Sequence, residues 1–138
     1  MFDTDGKRNW RSNWLQLIAH LANANLQQER WCHPERYPSA YWSFTEFMCM
    51  YFDDLALDEG YCSAVESGLV TEEEFAAVAH FHGKLCSYRA PGGNDFNHAA
   101  ILSDPNWSEV VRAANGALVA LERLALSEPD RQAIRGAA

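Results

Sequence analysis

Adjacent carboxylates, neighbouring imidazoles and thiols are the groups in this sequence that could act chemically. Asp53 and Asp54 could serve as general acid and base or as metal ligands. Consecutive residues of a helix do not face each other, so this pair is a weak signal. His80 and His82 stand two apart, and on a helix they diverge by about 200°, which prevents them sharing an ion. His82 instead falls on an apolar stripe, where a histidine belongs to the core. Asp95 and His98 have D-x-x-H spacing and could share a face. Di-metal carboxylate bundles use Glu-x-x-His from two helices with further Glu residues. Here there is one such pair, with Asp for Glu and beside a loop, so Asp95 reads as the cap of a short helix.

Cys32, Cys49, Cys62 and Cys86 are irregularly spaced and include no C-x-x-C, so they read as buried free thiols and not as a zinc set. No Ser-His-Asp or Cys-His order and no Gly-rich phosphate loop is present; Gly92-Gly93 is loop chemistry. The expectation is a protein with no catalytic residue, no metal and no cofactor.

Charge is the stronger signal. The 138 residues carry a net charge of −8. Between Tyr37 and Gly83 there are nine acids and no Lys or Arg: Glu46, Asp53, Asp54, Asp58, Glu59, Glu66, Glu72, Glu73 and Glu74. Phosphate binding needs clustered Lys and Arg, so direct nucleic-acid binding through this region is disfavoured. A solvated helical face usually mixes both signs, so a one-sign segment suits a basic protein partner. Tyr and Trp residues in and near the segment could anchor that partner.

The elements that must position these groups are helices. Ser43 to Leu57 is the densest apolar run and reads as a central helix, opened by a Ser43–Glu46 capping box and a Trp42–Phe47 staple. Asp53 and Asp54 at its C-terminal end oppose the macrodipole, so they are either structurally paired or kept for a partner. Helix one is expected over 10–26, with His20 on its polar side. An aromatic connection over 27–40 holds Pro34 and Pro38. A short helix is expected over 61–67 with Gly68 at C′, then a long one over 72–88 behind a Thr71–Glu74 capping box and a Val70–Phe75 staple. Glu72, Glu73 and Glu74 also suit that N-terminus by charge. RAPGGND is a loop, 96–102 a short helix, and Asp104-Pro105 opens a last long helix to about residue 125. No period-two run or hairpin signal occurs. The fold expected is an all-α single domain, 1–138, of about four main helices with shorter ones between, residues 1–9 and 127–138 being frayed or, at the C-terminus, a short helix. No apolar run is long enough for a membrane span, and MFDTDGKRNWR has no signal-peptide core, which suggests a cytoplasmic protein.

The segments SFTEFMCMYFDDL, FHGKL with Tyr88, and HAAILSDPNW resemble those of small helical bacterial immunity proteins encoded beside polymorphic or contact-dependent growth inhibition toxins. The resemblance spans roughly residues 42 to 112. It implies a non-enzymatic cytoplasmic antidote that binds a cognate toxin domain, often a basic nuclease. On the charge argument, the partner-binding residues are Asp53, Asp54, Asp58, Glu59 and Glu66, with Glu72 and Glu73 at the rim and Tyr61 as the aromatic contact. Two alternatives stay open: a metal-dependent enzyme built on Asp53, Asp54, His80 or His82, and Asp95 with His98; or an acidic regulatory adaptor.

Overall fold

The computed structural model describes residues 4–37, 43–124 and 126–136. Every regular element among them is helical. In chain order these are α1 (Thr4–Leu21), α2 (Ala24–Cys32), α3 (Phe44–Cys49), α4 (Cys62–Glu66), α5 (Glu72–Ser87), α6 (His98–Leu102), α7 (Pro105–Glu122) and α8 (Glu128–Gly136). Three of them, α1, α5 and α7, are long; α5 packs on α7, and α1 packs on both α7 and α8. One continuous core joins them through Trp14, Trp31, Trp107, Phe47, Tyr51 and Phe81.

The expected first helix is in fact two. Asn23 ends the run, because its side chain accepts a hydrogen bond from Leu26 N–H at 3.0 Å and caps a new helix. α2 then continues to Cys32, through part of the expected connection, and buries Gln27 and Trp31. Gln27 satisfies the junction: its amide donates to the carbonyls of His20 and Leu21 and accepts from Trp107 Nε1–H at 2.9 Å. At the N-terminus α1 starts at Thr4, so residues 4–9 are helical and not frayed. Pro38 and the expected Trp42–Phe47 staple lie outside the described residues.

The expected central helix is shorter than its apolar pattern. Ser43 Oγ accepts from Glu46 N–H at 3.1 Å and caps α3. After Cys49 the backbone widens into a π-turn over Met50–Asp54. Leu55 N–H donates to Met50 C=O at 3.0 Å, and Leu57 N–H to Phe52 C=O at 3.1 Å. One extra residue per turn changes the face that follows. Phe44, Phe47, Tyr51, Leu55 and Leu57 point inward, while Asp53 and Asp54 point to solvent. Ala56, at φ +57°, ends the segment in the left-handed region, which costs a non-glycine residue about 1 kcal/mol.

α4 closes as its sequence implies. Gly68 has φ +79°, and Leu69 N–H reaches Ala64 C=O while Gly68 N–H reaches Val65 C=O, the pair of bonds that satisfies a helix C-terminus. α5 opens on the complete Thr71–Glu74 capping box. Val78, Phe81 and Leu85 form its buried face, whereas Phe75 is 39 % exposed. The start of α6 differs from expectation: Asn97, not Asp95, caps it, accepting from Ala100 N–H at 3.2 Å. Asp104 caps α7 and also accepts from the Tyr88 hydroxyl at 3.0 Å. Residues 128–136 are not frayed, since α8 buries Ala133 and Ile134 against the bundle. All four cysteines are free, but none is buried: Cys49 and Cys62 are exposed, and Cys32 and Cys86 half-exposed.

Candidate functional site

The acidic residues separate by environment. Asp53, Asp54, Asp58, Glu59, Glu66, Glu72 and Glu73 are all exposed. None of the seven takes part in a salt bridge among the described residues. Glu74 is the exception in the segment. It is buried, and its carboxylate accepts from Arg11 Nη1 at 2.8 Å and Nη2 at 2.7 Å and from Thr71 N–H at 2.9 Å. Arg11 also bonds Asp130 at 2.8 Å and the Leu69 carbonyl at 2.8 Å. Burial opposes charge on both Arg11 and Glu74, but the bonds and opposite charges outweigh it. The Arg11 pKa is raised and the Glu74 carboxyl is held below its usual range. This ion cluster ties α1, α5 and α8 together and draws Glu74 out of the surface available to a partner.

Tyr61 does not belong to that surface. It is 2 % exposed, and its hydroxyl accepts from Trp14 Nε1–H at 2.9 Å. It begins a chain of polar groups through the core: Tyr61 to Tyr51 at 2.7 Å, Tyr51 to His82 Nδ1 at 2.9 Å, and His82 Nε2 to Cys86 Sγ at 3.4 Å. The indole only donates, whereas the Tyr61–Tyr51 bond can run in either direction and the Tyr51–His82 bond follows the His82 tautomer. Burial keeps His82 neutral by lowering its pKa, and pushes Tyr61 up to about 12. Of the other histidines, His80 is exposed on α5. His20 lies in the core and not on a polar face. It is stacked on Phe47 with ring centroids 3.9 Å apart, and its Nε2 accepts from Trp31 Nε1–H at 3.2 Å.

The residues weighed for a metal are not gathered. Asp95 is exposed, while His98 turns to α2 and bonds the Trp31 carbonyl through Nδ1 at 2.9 Å. Among the described residues no three His, Cys, Asp or Glu side chains group as ion ligands would.

A groove that sequence reasoning missed opens beside the π-turn, with a volume of about 600 Å³. Trp10, Leu17, Leu26, Phe47, Met50 and Leu55 supply its apolar walls, and Asp54 reaches it from the π-turn. The sequence signal was indirect: Trp10, Leu17 and Leu55 look like ordinary core positions.

A family model described as a domain of unknown function, DUF7945, matches residues 7–130. The chain belongs to the DUF7945 family. The matched stretch of this DUF7945 domain contains Arg11, Glu74 and Asp130, the seven exposed acids and the groove's apolar walls. No curated protein and no solved structure matches the chain. No helix of the described residues is long and apolar enough to cross a membrane.

Proposed function

We propose that this protein is a non-catalytic cytoplasmic antidote that binds a basic toxin domain, of nuclease type, through the acidic surface around Asp53–Asp58. The observation that carries this reading is the division of the acids. The carboxylate that the fold needs, Glu74, is buried and paired, and the seven assigned to a partner are exposed without a salt bridge. Like charges gathered without counter-charges destabilise the free protein slightly, and a basic partner relieves that repulsion. An acidic surface also imitates the phosphate backbone that a nuclease groove accepts. The resemblance of residues 42–112 to immunity proteins of toxin systems supplies the class of partner.

The direct test is co-expression with the C-terminal domain of the toxin encoded beside it, scoring growth and co-purification. Rescue with a stable complex is expected. An active toxin domain that is neither neutralised nor bound would contradict the proposal. A complex with some other basic protein would point to the adaptor reading instead.

A further inference from the structure

We infer that the groove between α1, α2 and the π-turn is the anchoring site of a partner segment that carries large apolar side chains next to a Lys or Arg. The inference rests on the binding reading above and adds to it where the partner's apolar contacts go.

Charge alone gives speed and orientation more than affinity; lasting binding needs apolar anchors in desolvated pockets. Tyr61, the ring expected to anchor a partner beside the acids, is enclosed. The groove meets that need. Its volume of about 600 Å³ exceeds a single side chain and falls within the range of formed ligand sites. Trp10, Leu17, Leu26, Phe47 and Leu55 give it aromatic and aliphatic wall between the polar Asn13 and Gln16, and Met50 gives it a side chain that adapts to different shapes.

Its charge indicates the occupant. Asp54 lines the groove from the π-turn and has no salt bridge among the described residues. Asp53 precedes it, with Asp58 and Glu59 a few residues on, all exposed. Arg30 lines the α2 wall, its guanidinium over the Tyr37 ring at 4.2 Å, so the groove holds one charge of each sign and the negative one stands at its π-turn end. Asp54 is thus shared by the groove and by the run of exposed acids over 53–59. A segment whose apolar side chains enter it brings a neighbouring Lys or Arg to Asp54. The π-turn makes both features at once, since the same widened turn sends Asp54 outward and leaves Met50 and Leu55 along the groove.

Selection of random 12-residue displayed peptides on the full chain tests this without any toxin. Selected peptides are expected to combine Phe, Trp, Leu or Met with Lys or Arg. Their affinity should fall at least tenfold in Gln16→Trp and in Asn13→Trp, which fill the groove from exposed positions, and several-fold in Asp54→Lys. Matching melting temperatures for the variants show that the fold is kept. No enrichment, or affinity unchanged in both tryptophan variants, would overturn the inference. The toxin experiment separates the two proposals. Rescue that survives Gln16→Trp but is lost on reversing the acids removes the groove and keeps the antidote. Groove-dependent peptide binding without toxin rescue does the reverse.

Discussion

His20 sits where a proton is least welcome. Its ring is stacked on Phe47, its Nε2 takes the Trp31 hydrogen, and burial with the nearby Arg30 charge lowers its pKa to about 3. The unfolded chain takes up that proton near pH 6.5, and the folded chain does not until about pH 3. Stability is therefore full above pH 6.5 and falls as the pH drops toward 3, by at most about 1.4 kcal/mol per pH unit. His82, also lowered by burial, adds to the loss in the same direction. Denaturant midpoints from pH 7 to 4.5 should show this slope in the native protein and most of it gone in His20→Gln; an unchanged slope would contradict the assignment. The Trp14–Tyr61–Tyr51–His82 chain makes a second prediction. Tyr61→Phe leaves the Trp14 N–H buried without an acceptor and should cost about 1–3 kcal/mol in urea unfolding. The sequence pattern placed His82 at the core but put His20 on a polar face. The reason is that α2 and α3 cover that face of α1, with Trp31 and Phe47 against the His20 ring. A helix enclosed in this way buries positions that a one-sided amphipathic reading leaves to solvent.

At the scale of elements, most helix starts and stops were legible because they rest on local chemistry. Thr71 with Glu74, Asp104 with Pro105, and Gly68 each act through bonds within a few residues. The π-turn and the Asn23 break were not legible. An i→i−5 bond leaves no mark in an apolar run, and a mid-helix asparagine is common enough to pass as helical. The docking of α8 was hidden for a different reason: it depends on partners far apart in sequence. Arg11 meets Glu74 and Asp130 across α1, α5 and α8, and no local pattern joins those three residues. Removing the cation leaves the buried Glu74 carboxylate beside the half-buried carboxylate of Asp130. Arg11→Met should therefore cost about 3–5 kcal/mol in thermal or urea unfolding and raise exchange of the α8 amides first. Glu74 adds an acid-side loss of its own. Its depressed pKa contributes stability above the ordinary carboxyl range, and that stability disappears as the pH falls through the folded value.

Across the whole molecule, charge is divided unevenly along the sequence. Five of the eleven bases precede Tyr37 and six follow Gly83, and the long run between them is acidic. The sequence could show that asymmetry, but it could not show which carboxylates the fold consumes. The structure leaves seven of the proposed residues outside and removes Tyr61 to the core. The all-helical class was legible throughout, from the 3.6-residue periodicity and the lack of any strand signal. The groove was not, because a cavity is a property of how helices meet. Long-range steering by exposed carboxylates is screened by salt, with a Debye length of about 8 Å at physiological ionic strength. The decisive measurement is the association rate with the basic toxin domain proposed as the partner, at low and physiological salt, for the native protein and for Asp53→Lys/Asp54→Lys/Asp58→Lys. The account expects a rate that falls steeply with salt in the native protein and is at least tenfold slower at low salt in the triple variant. Equal rates and equal salt dependence for the two proteins would contradict it.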